Sequence, residues 1–167
     1  KDANKLFKID LPKNDKEKEI LNEKVREMTW GGDTATKEHY ILANMWPAEK
    51  AIKAANQQGA FVFWNHPDWY RQASDGMAKL KPMHKEMIDK GYLHGIEVVN
   101  GNGYSAEAFQ IAIDNNLGII GTSDVHNLID WDYKPHTGGH RPVTLVFASA
   151  KNSKAVKEAL FDRRTVI

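Results

Sequence analysis

The chain has 167 residues, of which 41% are hydrophobic, and 23 basic residues stand against 22 acidic ones. That is one domain's worth of sequence with no global field to select long nucleic acid or a membrane surface. Cysteine is absent, which excludes disulfides, thiolate metal ligands and cysteine nucleophiles together.

No apolar run approaches the roughly 20 residues of a membrane helix. No signal-peptide core follows Lys1-Asp2-Ala3-Asn4-Lys5, and composition leaves the compartment open between cytoplasm and periplasm. Residues 1–46 read as an irregular and helical lead-in, with a charged surface helix over 15–29 broken by Trp30-Gly31-Gly32-Asp33. Pro47 and Gly59 bracket an alanine-rich helix over 47–58, with Ala51, Ile52 and Ala55 toward a sheet. The apolar run 60–64 reads as a strand, 69–76 as a loop and 82–90 as a helix stopped by Gly91. A strand follows at 95–100. Ser105 suits the cap of a helix over 106–115, with Ala108, Ile111 and Ala112 as its stripe and Gly118 as its stop. Residues 119–121 form the next strand, 127–141 a long loop and 143–148 another strand. Asn152 or Ser153 caps a last helix ending near Asp162. Helices alternating with continuous apolar strands predict a largely parallel α/β sheet buried on both faces.

Polar chemistry sits directly after the apolar runs, where the carboxyl ends of parallel strands converge. His66 lies between Asn65 and Pro67, and the proline predicts an extended residue at 66 that ends its strand. Asp124 and His126 follow the run 119–121; two apart in extended chain, they point the same way. An imidazole, a carboxylate and a second imidazole meeting at one edge would bind shared cations, so His66, Asp124 and His126 are the candidate metal ligands.

Glu97 lies inside Gly95-Ile96-Glu97-Val98-Val99-Asn100, where a buried carboxylate is costly without a partner. A cation or a metal-bound histidine would offset that cost, and so would a core lysine or arginine. Asn65 and Asn100 can line the mouth and hold substrate, with Asn102 beside them or in the turn. Arg141 can hold an anion or be a solvated loop residue. Thr122 and Ser123 can bond the Asp124 carboxylate or cap a turn. His136 and His140 bracket Thr137-Gly138-Gly139 in a mobile loop, and His39, His84 and His94 read as structural. Trp64, Trp69 and Tyr70 read as core, the alternative being a platform that stacks a ring. No phosphate-binding glycine loop, dinucleotide fingerprint, serine elbow or His-Glu-x-x-His occurs.

Together, Asn65-His66-Pro67, Gly95-Ile96-Glu97-Val98-Val99-Asn100 and Ser123-Asp124-Val125-His126 resemble the carboxyl-terminal motifs of the PHP (polymerase and histidinol phosphatase) family. The tail Arg141-Pro142-Val143-Thr144-Leu145-Val146-Phe147, then Ala159-Leu160 and Arg163-Arg164-Thr165, is similar to the family's ending. The resemblance covers roughly residues 50–167.

It implies the carboxyl-terminal part of a distorted (β/α)7 TIM-like barrel and a metal-dependent phosphoesterase with up to three divalent ions, manganese, zinc or iron before magnesium. By resemblance His66, Asp124 and His126 bind metal, Glu97 and Arg141 assist, and a metal-activated water attacks a small phosphorylated substrate. The family's opening His-x-His motif is absent from these 167 residues. That absence, with the missing initiator Met, leads us to expect an incomplete domain needing its amino-terminal half or another chain; a degenerate, non-catalytic module and an amidohydrolase-like metal hydrolase are the alternatives.

Overall fold

The computed structural model describes residues 14–17, 19, 47–126 and 128–167. The chain divides into two compact units, Lys1–Ala51 and Ile52–Ile167. In the first, the Asn14 side chain accepts a hydrogen bond from the Glu17 backbone N–H (2.9 Å), and 15–17 and 19 are helical. Most of the expected helix over 15–29, the break at 30–33 and His39 lie outside the described residues.

From residue 48 the elements run α1 (Ala48–Gln57), β1 (Phe63–Trp64), α2 (Pro82–Asp89), β2 (Gly95–Asn100), β3 (Gly103–Tyr104), α3 (Ala106–Asp114), β4 (Gly118–Thr122), a short α4 (Ile129–Asp132), a 3-10 turn (Pro135–Thr137), β5 (Leu145–Val146), α5 (Ser153–Phe161) and β6 (Thr165–Val166). The expected loop over 127–141 therefore holds two helical turns. The strands expected over 60–64 and 143–148 shrink to two residues each, because few of their backbone groups find a ladder partner.

Four helices end alike. A left-handed residue follows each, at Gly59, Gly91, Asn116 and Arg163, and the next N–H reaches back five residues: Ala60 to Ala55, Tyr92 to Met87, Leu117 to Ala112, Arg164 to Ala159. This satisfies carbonyls that the helix leaves open. Glycine serves that role twice, as the sequence suggests. For α3, however, the stop is Asn116 and not Gly118, which opens β4. At the other end, Ser105 Oγ accepts from Ala108 N (3.2 Å) and Asn152 Oδ1 from Ala155 N (2.9 Å), so both expected caps form, with Asn152 taking the last helix.

The sheet is mixed, with a parallel centre. β2 pairs in parallel with β1 on one edge and with β4 on the other, and β3 returns antiparallel along the β1 edge. A separate antiparallel ladder joins β5 to β6. The core collects Trp64, Met87, Leu93, Ile96, Val98 and Leu117 with Ala108 and Ala112, which turn one face of α3 onto β2. Ile111 is only half-buried, and in α1 Ile52 packs toward this core while Ala51 is exposed. No helix among the described residues is long and apolar enough to cross a membrane.

One irregularity of β2 decides the rest. Glu97 pairs with Ile120 and Val99 with Gly121, so Val98 is an extra residue opposite β4. In a regular strand residues three apart face opposite sides. The bulge at Val98 restores Asn100 to the side of Glu97, and Thr122, paired with Asn100, falls on that side as well.

Candidate functional site

Glu97 is 2% exposed, yet no lysine or arginine meets it among the described residues. Its partners are polar groups from three strand ends. Oε2 accepts from the His66 backbone N–H (2.6 Å) and faces His66 Nδ1 at 2.7 Å. Asn100 Nδ2 donates to the same oxygen at 3.3 Å, and the Thr122 hydroxyl donates to Oε1 at 2.5 Å. The buried carboxylate is thus met by an imidazole, a backbone N–H, an amide and a hydroxyl, and not by the core lysine or arginine that was the alternative. Thr122 bonds Glu97 and not the Asp124 carboxylate, a role that sequence spacing conceals because the β2–β4 register creates it.

Asn100 Nδ2 also stands 2.7 Å from His66 Nδ1. Two donors cannot share that contact. We assign the ring hydrogen to the carboxylate, because an ionised acceptor outcompetes a neutral amide. His66 Nδ1–H then donates to Glu97, which leaves Nε2 with its lone pair outward.

His66 is not extended, as its following proline predicts, but left-handed, with φ +49°. Asp124 also has φ +49°. Such backbone is uncommon for residues with a side chain and is held in place by surrounding bonds. At His66 those bonds come from Glu97 and the following turn, where Trp69 N–H donates to the His66 carbonyl (3.0 Å). At Asp124 the neighbouring Ser123 carbonyl accepts from the Tyr133 hydroxyl (2.5 Å). The two bends bring His66 Nε2 to 3.9 Å from Asp124 Oδ1.

Strand geometry ends at Thr122, so Asp124 and His126 do not lie parallel along an extended chain. Instead His126 Nδ1 lies 2.6 Å from the Asp124 backbone carbonyl. A carbonyl only accepts, so Nδ1 carries the hydrogen and Nε2 is again the open nitrogen. His126 is exposed. No three His, Asp or Glu side chains among the described residues converge as a metal site.

Asn65 is exposed and its carbonyl accepts from Gln72 Nε2 (3.0 Å). Asn102 stays in the exposed turn. Arg141 is exposed and joins no side-chain hydrogen bond or ion pair among the described residues. His136 and His140 are exposed, the former inside the 3-10 turn. His84 is buried and stacks on Trp64, with ring centroids 3.7 Å apart. His94 Nδ1 accepts from Val62 N–H (3.0 Å). Both are structural, as expected. Burial holds both imidazoles below their ordinary pKa, and the Lys81 charge adds to this at His84. Of the three aromatic residues read as core, only Trp64 is buried; Trp69 and Tyr70 are exposed.

The donor set suits a divalent cation in part. Bonds of about 2.0–2.2 Å to an imidazole nitrogen and a carboxylate oxygen span up to about 4.2 Å, so one ion can reach both His66 Nε2 and Asp124 Oδ1. Metal-binding histidines commonly give their other N–H to a carboxylate or a backbone carbonyl; His66 does the first and His126 the second.

No family model and no curated protein matches the chain. Among solved structures it is similar to a two-domain protein containing a predicted PHP-like metal-dependent phosphoesterase from Bacteroides vulgatus ATCC 8482. The likeness is close in sequence as well as in shape. Identity is 45% and the TM-score 0.67, over 71% of this chain and 34% of that one. The chain therefore spans about a third of that protein's length.

Proposed function

We propose that this chain supplies one side of the metal centre of a PHP-type phosphoesterase, within a sheet that is part of a TIM-like barrel. The observation that carries this is His66, held by buried Glu97 in the tautomer that leaves Nε2 open, 3.9 Å from Asp124 Oδ1. The similarity to a protein containing a PHP-like metal-dependent phosphoesterase supports the reaction class.

In this reading His66 and Asp124 hold a divalent ion, with His126 adding its Nε2 to the centre. A bound cation supplies Lewis acidity and acidifies water for attack on a phosphate ester. The chain's own groups do the positioning. Glu97 fixes the His66 ring, Asn100 and Thr122 fix Glu97, and we assign exposed Asn65 and Arg141 to an anionic substrate on their hydrogen-bonding chemistry alone. Ligands beyond these come from outside the described residues or from another chain. A non-catalytic module is the rival reading, because no trio of ligands converges among the described residues.

The test is calorimetric titration of the chain with Mn²⁺ and Zn²⁺ beside p-nitrophenyl phosphate turnover. Binding that His66→Ala and Asp124→Ala each weaken at least tenfold is the expected result. A chain that binds neither ion, or variants that bind as well as the parent, would overturn the proposal.

A further inference from the structure

The stretch that carries Asp124 and His126 leaves β4 and turns back, and one side chain joins its two ends. Tyr133, at the end of α4, donates its hydroxyl hydrogen to the Ser123 carbonyl (2.5 Å), which closes a loop running from Asp124 to Asp132. Tyr133 is itself fixed on both sides. Its backbone N–H donates to the Ile129 carbonyl (2.9 Å); Lys134 after it is left-handed, with φ +45°, and accepts at its carbonyl from Thr137 N–H (3.0 Å). The β2–β3 turn meets the same point. Gly101 N–H donates to the Thr122 carbonyl (3.0 Å), and a Cβ at Gly101 would lie 3.6 Å from both the Ser123 carbonyl oxygen and the Tyr133 hydroxyl.

We propose that Tyr133 is a positioning residue for the metal centre, tying this loop so that Asp124 and His126 are held together at the sheet edge. This rests on the phosphoesterase reading and adds to it a residue that acts through the backbone rather than on the cation. The Tyr133 bond ends on the carbonyl next to Asp124, whose left-handed backbone (φ +49°) is costly for a residue with a side chain. The Asp124 carbonyl in turn accepts from His126 Nδ1 (2.6 Å). One hydroxyl therefore stands at the head of a series of contacts that passes through Ser123 and Asp124 to His126. Without it the ends of the loop are free to separate. The binding-competent arrangement is then less populated, and apparent affinity falls by the same factor. A hydrogen bond of ordinary net strength implies a change of about two- to tenfold.

The test compares the full chain with Tyr133→Phe, which keeps the ring and removes the hydroxyl. Asn152→Ala serves as the control, because it removes a helix cap elsewhere and lowers stability by another route. Calorimetry with Mn²⁺ reads affinity, and long-range ¹H–¹⁵N NMR of the metal-free chain reads the His126 tautomer. Tyr133→Phe should weaken Mn²⁺ binding about two- to tenfold and shift His126 from Nδ1–H toward the tautomer mixture of an untethered imidazole. Asn152→Ala should do neither. An unchanged His126 tautomer in Tyr133→Phe, an unchanged Mn²⁺ affinity, or an equal loss in Asn152→Ala overturns the positioning role while leaving the phosphoesterase reading intact. A parent chain that binds no Mn²⁺, yet whose His126 tautomer depends on the Tyr133 hydroxyl, upholds the tie and counts against the phosphoesterase.

Discussion

Replacing Glu97 by glutamine separates its charge from its shape. Four donors meet the carboxylate: His66 N, His66 Nδ1 and Asn100 Nδ2 on Oε2, and the Thr122 hydroxyl on Oε1. A glutamine with its oxygen in the Oε2 position keeps the first three. Its amide then faces Thr122, whose hydroxyl can turn to accept. Two energetic changes oppose each other: bonds to an ionised acceptor are about twice as strong as neutral ones, but a 2% exposed charge no longer has to be desolvated. We expect the midpoint of urea unfolding to shift by less than about 1 kcal/mol equivalent.

The metal-facing nitrogen should respond more strongly. With a neutral amide oxygen in place of the carboxylate, the His66 Nδ1–H bond is kept but weakened, and loss of such a charged supporting partner typically lowers metal affinity roughly 10–100-fold, about 1.4–2.8 kcal/mol. Calorimetry with Mn²⁺ or Zn²⁺ reads the affinity, and long-range ¹H–¹⁵N NMR of the imidazole reads the tautomer directly. A parent protein whose His66 carries its hydrogen on Nε2, or a glutamine variant with unchanged metal affinity, would refute the argument.

Stability should fall as the solution is acidified through the histidine range. His84 and His94 are held neutral in the fold, with folded pKa values below their ordinary value of about 6.5. The unfolded chain therefore takes up more protons, so the stabilisation is complete above about pH 6.5 and is lost as pH drops toward the folded values. Urea denaturation across pH 5–8 measures this, and His84→Gln should flatten the slope; an equal slope would count against the assignment. Gly139→Ala would drive a Cβ into the Tyr133 carbonyl oxygen, forcing the turn to move. A loss of about 1–3 kcal/mol, with weakened protection of the Tyr133 amide that donates to the Ile129 carbonyl, is expected; wild-type stability would show that the turn is not fixed there. Ser105→Ala and Asn152→Ala should each cost about 1 kcal/mol in thermal or urea unfolding through loss of a helix cap, and a negligible change in both would contradict the cap geometry.

Much of this protein is legible along the chain because it depends on near neighbours. Apolar runs bounded by Gly, Pro and cap residues are local signals, and Ser105, Asn152, Gly59 and Gly91 perform the roles their side chains suit. The placing of polar residues just beyond parallel strands likewise located His66 and Asp124 at one edge, and burial of Glu97 demanded a partner. Which partner it has depends on register. The extra residue at Val98 turns Asn100 back beside Glu97 and sets Thr122 opposite it, and a one-residue shift in pairing is invisible to periodicity.

The left-handed turn at His66 departs from what its neighbours favour, and Glu97 from a distant strand holds its backbone N–H; at Asp124 the neighbouring Ser123 carbonyl is held by the Tyr133 hydroxyl. His126 and the aromatic residues mark the same boundary. Sequence named their chemistry, but only the folded backbone tied His126 to the Asp124 carbonyl, buried Trp64 against His84, and left Trp69 and Tyr70 facing solvent. Local composition sets what each residue is able to do. Which residues meet is a property of long-range packing, where contacts far apart in the chain compete and one arrangement prevails.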